Sequence, residues 1–243
     1  MKTILRLWVP MLIAIIGAYL FVDRPLCQYI YDHAWPQYLC SVCMLGHWPF
    51  VHDNVPGNGI SIIKLLVEWP PIMTGLAPLL ILGALFLPPC RPKQLLIFMG
   101  ITILVTFVLK NDLKWIFSRD WPLTWTHNNP SWISNHAYGF LWFRGGLFQG
   151  TDETGSFPSG HTAVAFAALM PIGFVYRKAM PYLIPVAVSV GLGMIAFDYH
   201  FLSDVLAGAL VGVTCTLAVE SILGTALVDS EEVFADPLFK KGS

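Results

Sequence analysis

The amino-acid sequence predicts an all-α, polytopic membrane protein: a six-helix transmembrane bundle that gathers its ionisable residues at the outward end. Three observations predict it. Hydrophobic residues make up 56% of the 243 and charged residues only 12%, about half the charge of an ordinary soluble domain. The mean hydropathy is +0.63. The apolar residues also collect in stretches close to the roughly 20 residues that a helix needs to cross a bilayer. The chain therefore reads as one integral membrane domain over residues 1–243. Its net charge of −1 gives no sign of the basic face that nucleic acid would demand, so no nucleic-acid partner is expected.

The spans are expected near 4–22, 71–89, 95–115, 161–177, 181–199 and 204–225. Lys2 and Arg6 precede the first apolar core much as in a secretory signal, but "AYLFVDRPL" contains no small-residue cleavage site. The first stretch is therefore read as a retained anchor. Before the second span, "SIIKLLVEW" (61–69) has apolar residues at helical spacing between Lys64 and Glu68, and reads as a short interfacial helix. The fourth span opens with Ala163, Ala165, Ala167 and Ala168, small residues that permit close helix packing in lipid, so it is expected inside the bundle. Lys2, Arg6, Arg91, Lys93, Arg177, Lys178, Lys240 and Lys241 fall on one side if the spans alternate, and that side is expected to be cytoplasmic. The other side receives the long segments 23–70 and 116–160 and the 200–203 junction. Loops of that length inside a compact domain are usually functional. The acidic tail "VDSEEVFADPLFKKGS" reads as a solvated end.

Ionisable groups recur at one depth on that outer side. Lys110, Lys114 and Arg119 stand at the end of the third span, His161 at the start of the fourth, and Asp198, His200 and Asp204 between the fifth and sixth. Such groups are costly at a membrane and usually functional. Long lysine and arginine side chains can snorkel to the headgroups, but the histidines and Asp204 are too short to do so. Lys114 and Arg119 suit an anionic, oxygen-rich group such as phosphate. The Ser159-Gly160-His161 turn adds a hydroxyl and backbone N–H groups at a helix start, where the dipole favours an anion. Two histidines can then divide the work, one attacking phosphorus and the other protonating the leaving oxygen. His200 and Asp204 are one helical turn apart, so the carboxylate can take the Nδ1 proton and leave Nε2 free. The scheme needs no metal and no cofactor.

"KWIFSRDWP" (114–122), "PSGH" (158–161) and "HFLSD" (200–204) resemble, in order and at compatible spacing, the three signature blocks of the type 2 phosphatidic acid phosphatase superfamily. The resemblance covers about the last two thirds of the chain. It implies a six-helix membrane bundle with an outward-facing active site and metal-independent removal of phosphate through a phosphohistidine. By position, it implies His200 as nucleophile, His161 as general acid and Asp204 as the orienter of His200. Lys114, Arg119, Ser159 and Gly160 would hold phosphate. The implied setting is a bacterial inner membrane with the site facing the periplasm. The implied partner is a lipid phosphate or pyrophosphate substrate among membrane lipids: phosphatidic acid, phosphatidylglycerol phosphate, undecaprenyl pyrophosphate or a lipid A phosphate. Neither the substrate nor the oligomeric state follows from the sequence.

Two positions depart from the family pattern. Trp121 stands where the first block has an arginine before its proline, and Met194 where the third block has an arginine six residues before the histidine. Losing a charged donor from such a site costs about 2–4 kcal/mol of transition-state stabilisation. Arg144, in the outer-loop segment "WFRGGLFQG", is the candidate replacement. Trp121, Trp125, Trp132 and Trp142 read as an interfacial belt, or as a wall for lipid chains. His127 and His136 lack a metal-ligand pattern. Cys27, Cys40 and Cys43 share the outer segment, where one disulfide is reasonable in an oxidising space, with its pairing open. The C-x-x-C spacing of Cys40 and Cys43 lacks the thioredoxin or zinc context. Two other readings remain: a phosphotransferase passing the phosphate to a lipid hydroxyl, and a non-catalytic lipid-phosphate binder or transporter. The paired histidines and Asp204 argue for catalysis. The haloperoxidase branch of the family is a poorer fit, because its members resemble soluble proteins and require vanadate.

Overall fold

The computed structural model describes residues 2–33, 62–124, 129–142 and 154–235. Helix α1 (Lys2–Gly17) passes through a π-helical turn (Ala18–Val22) into α2 (Asp23–Asp32). There follow α3 (Ile62–Leu85), α4 (Arg91–Phe117), the one-turn α5 (Trp132–Asn135), α6 (Gly160–Val175), α7 (Met180–Ala196) and α8 (Leu202–Ala235). The fold is all-α, and the described residues contain only two isolated β-bridges outside the helices. Four helical stretches are long and apolar enough to cross a membrane: Trp8–Asp32, Arg91–Phe117, Arg177–Ala196 and Leu202–Gly224. Two more apolar helices, Trp69–Leu85 and Gly160–Val175, are shorter. The chain is thus a polytopic membrane protein.

Three expectations change. The first apolar helix does not stop near residue 22: after one π turn it runs on to Asp32, so Asp23 lies within a span rather than opening a loop. The interfacial helix expected at 61–69 and the span at 71–89 form the single helix α3, with Pro70, Pro71 and Pro78 inside it. Prolines are tolerated within membrane helices because neighbouring groups re-satisfy the freed carbonyls. The last helix continues to Ala235, so the start of the acidic tail is helical.

Helix α6 occupies the centre, packing against α3, α4, α7 and α8. Its alanines explain this placement: Ala163, Ala165 and Ala167 are fully buried and Ala168 nearly so. Glycines on α8 meet them. A Cβ added at Gly208 would stand 2.4 Å from the Ser159 carbonyl oxygen, and one at Gly212 2.4 Å from that of Ala163. Helices in lipid gain little from burying apolar surface and associate through such close packing. The outside is apolar in turn, with Ile13, Phe21, Phe86, Tyr182 and Ile222 all strongly exposed. Helix α1 packs along α8, and the continuous first span reaches the C-terminal end of α4 and the N-terminal end of α8.

Candidate active site

The first block begins on the last turn of α4. Ser118 takes a left-handed conformation (φ 43) and its N–H donates to the Lys114 carbonyl at 2.8 Å, ending the helix. That reversal sends Arg119 inward while Lys114 stays on the helix, and both are buried. The Lys114 ammonium donates to the Gly155 carbonyl oxygen and lies 5.3 Å from the centre of the Trp121 ring. Trp121 in turn lies 5.4 Å from the His200 ring. Trp121 therefore fills the space beside the imidazole, and Trp132 packs against His136 and Tyr138. Of the belt candidates Trp121, Trp132 and Trp142, only Trp142 is exposed as an interfacial belt would require; Trp125 and His127 lie outside the described residues.

The second block starts α6. Ser159 is its N-cap, accepting from the Thr162 N–H, while the Ser159 N–H donates to the Asp204 backbone carbonyl at 2.9 Å. The Pro-Ser-Gly-His turn is thereby fixed to the first turn of α8. Gly160 faces Lys110: an added Cβ would lie 3.4 Å from the lysine Nζ. Lys110 also donates to Asn111 Oδ1 at 2.8 Å. Its ammonium thus stands at the amino end of α6, beside the turn that bears His161.

The third block lies between α7 and α8. Asp198 is left-handed (φ 53), and the N–H groups of Tyr199 and His200 both donate to the Met194 carbonyl, at 3.0 and 3.2 Å. This tight turn aims His200 back over α8. Its Nδ1 stands 3.6 Å from Asp204 Oδ2, an ion-pair distance rather than a hydrogen bond. Burial pushes the His200 imidazole down to about 4, against the pull of Asp204, so the ring is held neutral. Burial raises the Asp198 carboxyl to about 7, partly offset by its hydrogen bond with Cys27.

Asp204 is fully buried and heavily solvated by the protein. One oxygen accepts from Arg119 Nη1; the other accepts from the Ser156 hydroxyl and, at 3.0 Å, from the Phe201 N–H. Arg119, expected at the phosphate, is fully buried with its Nη1 on Asp204 and Ser203 and its Nη2 on Asp23 at 2.8 Å. The rings of Tyr19, Tyr138, Phe140 and Phe201 surround it. Burial works against its charge, and the carboxylates of Asp204 and Asp23 more than restore it.

Met194, standing where the family pattern has an arginine, is fully buried in an apolar cluster with Ile30, Val67 and Phe197. Its side chain lines the core, and only its carbonyl serves the site. Arg144, Cys40 and Cys43 lie outside the described residues, while Cys27 is a buried free thiol. Among the described residues, no group of three or more His, Cys, Asp or Glu side chains is arranged to hold a metal ion.

Sequence reasoning missed Asp23, Ser156 and Ser203 and assigned Lys110 no role. A carboxylate inside an apolar span was the available signal for Asp23. Ending the first span one residue before it concealed that signal. Ser156 and Ser203 carried none, because a serine identifies no partner before the chain is folded.

His161 at the start of α6 and His200 with Asp204 at the α7–α8 junction thus stand at one end of an all-α membrane fold. The family model of the PAP2 superfamily matches residues 94–226, more than half of the chain, and the chain belongs to that superfamily. No curated protein matches it. Among solved structures, it is similar to the first transmembrane PAP2 type phosphatidylglycerolphosphate phosphatase from Bacillus subtilis. The identity is 17% over 87% of this chain and 96% of the other, with a TM-score of 0.38.

Proposed function

We propose that this chain is a membrane phosphatase that removes phosphate from a lipid phosphate or pyrophosphate through a phosphohistidine, within a six-helix bundle whose site faces outward. The observation that carries this reading is the pairing of His200 with Asp204. Nδ1 faces the carboxylate at 3.6 Å, so Nε2 is the nitrogen left to attack. Lys114, Lys110 and the amino end of α6 supply the positive field that a phosphate needs, and Ser159 and Gly160 offer hydroxyl and backbone donors.

The Nε2 lone pair of His200 attacks phosphorus, and the bond from phosphorus to the lipid oxygen breaks. His161 gives its proton to that oxygen, releasing the alcohol, or the lipid monophosphate when the substrate is a pyrophosphate. His161 then takes a proton from water as the water oxygen attacks phosphorus. The N–P bond breaks, inorganic phosphate leaves, and both histidines return to their starting states. The carboxylate of Asp204 stabilises the positive charge that His200 develops, and Arg119 holds that carboxylate in place. Lys110, beside Gly160, is the described cation best situated to offset the arginine absent at Met194. The apolar belt around the bundle suits a substrate whose chains remain in lipid while its headgroup enters the site.

The test is phosphate release by the detergent-purified protein from phosphatidic acid, phosphatidylglycerol phosphate, undecaprenyl pyrophosphate and lipid A phosphates, with EDTA present. Turnover should survive EDTA, and His200→Ala should lower it by at least about a thousandfold, the scale on which loss of a nucleophile acts. Equal release by wild type and variant would refute the histidine mechanism. Transfer of phosphate to an added lipid alcohol in place of release would identify a phosphotransferase.

A further inference from the structure

We infer that Asp23, in the first span, is a positioning residue of the active site, acting on His200 through Arg119 and Asp204. The inference rests on the phosphatase reading above and extends the site to a helix outside the residues that match the family. Asp23 is 1% exposed. Its Oδ2 accepts from Arg119 Nη2 at 2.8 Å and from the Ser203 hydroxyl, and its Oδ1 accepts from the Ser203 N–H at 3.0 Å. Tyr138 reaches the same Oδ2 at 3.4 Å. One carboxylate therefore grips both the guanidinium and the first turn of α8, immediately before Asp204.

The arrangement has a consequence for orientation. Arg119 is a flat fork whose two Nη atoms diverge to two carboxylates, Asp23 on one side and Asp204 on the other. Its Nε is buried without a hydrogen-bond partner, so these end contacts and the surrounding rings alone set its angle. Without Asp23 the fork has no acceptor for Nη2, and nothing opposes its rotation about the Asp204 contact. Asp204 would then lose its fixed donor and His200 its fixed orienter. Ser203 would lose the acceptor of its N–H as well, at the helix start that carries Asp204. A retained anchor needs no buried carboxylate, since a charged group in a span is expensive unless it is paired. Matching Asp23 to three donors on two other segments, Arg119 and the start of α8, makes the first span part of the catalytic apparatus.

The test uses the full chain in detergent with whichever of the four lipids wild type turns over fastest. It compares Asp23→Asn, Asp23→Glu, Arg119→Gln and the Asp23→Asn/Arg119→Gln pair, with His200→Ala as control. Asp23→Asn should lower kcat by about a hundredfold, the scale of a misplacement of about 1 Å, while KM moves little. Asp23→Glu retains the charge one methylene away and should recover part of that loss. In the paired variant the losses should not multiply, because Asp23 acts through Arg119. Monodisperse elution and the thermal midpoint report folding. A folded Asp23→Asn with kcat near wild type, with His200→Ala inactive, overturns the inference and leaves the phosphatase reading intact; if Asp23→Asn does not fold, Arg119→Gln decides in the same way, because Asp23 acts through Arg119. Multiplying losses in the paired variant also overturn it. Equal activity of wild type and His200→Ala overturns the phosphatase reading and this inference together.

Discussion

His200 is a histidine whose surroundings decide its chemistry. Buried between Trp121 and Asp204, its imidazole has been driven down to about 4 from an ordinary 6.5. The neutral form, which the proposed mechanism needs for attack, therefore persists well into acid. We predict that the acid limb of kcat/KM attributable to this residue lies below pH 6, and a limb at 6.5 or above would contradict it. The same shift has a consequence for stability. Between about 6.5 and about 4 the unfolded chain binds a proton at His200 that the folded chain does not, so stability from this group is complete above the upper value and falls with pH across the window. Thermal midpoints measured against pH should decline there in wild type and less steeply in His200→Gln. The spacing of His200 and Asp204 was legible in the sequence as one helical turn. The three donors on Asp204 were not, since two of them come from Arg119 and Ser156, far away along the chain.

At the scale of elements, the site depends on how closely α8 approaches α6. The Ser159 N–H bonds to the Asp204 carbonyl, so the distance between these helices sets how the Pro-Ser-Gly-His turn faces the Asp204 carboxylate. Gly208 and Gly212 allow the approach, each with a backbone oxygen where a Cβ would stand. A backbone obstacle cannot swing away as a long side chain can. Gly208→Ala should therefore lose about 1–3 kcal/mol through overpacking and lower kcat as the turn is pushed outward. Gly75 on α3 has nothing within 4 Å of an added Cβ, and Gly75→Ala should be neutral or stabilising by up to about 1 kcal/mol. Thermal unfolding in detergent and turnover of the two variants check the contrast. Equal loss in both would mean that close α6–α8 packing is not what holds the site.

Over the whole molecule, the three signature blocks meet at the ends of α4, α6 and α8, and α2 closes the same end through Asp23. From the positive-inside distribution we predict that the opposite end lies in the cytoplasm. Cys90, at the α3–α4 junction, is a free cysteine at that opposite end and is partly exposed. Cys27 and Cys215 are buried. In intact cells making the Cys40→Ser/Cys43→Ser variant, a membrane-impermeant maleimide should leave the protein unlabelled until the membrane is opened. Labelling before that step would reverse the orientation and put the site on the cytoplasmic side.

The sequence by itself determined the solvent, the apolar helices and the spacing of the three blocks, because composition and helical periodicity are local properties that folding does not alter. It also exposed the departures at Trp121 and Met194, since a residue type at a motif position is visible without coordinates. Tertiary structure alone decided what fills those positions: Met194 joins an apolar cluster, and Trp121 packs beside His200. It likewise turned Arg119 from a free cation into the link between two carboxylates. The physical reason is that a buried charge takes its role from its partners, and here Asp23 and Asp204 reach it from opposite ends of the chain.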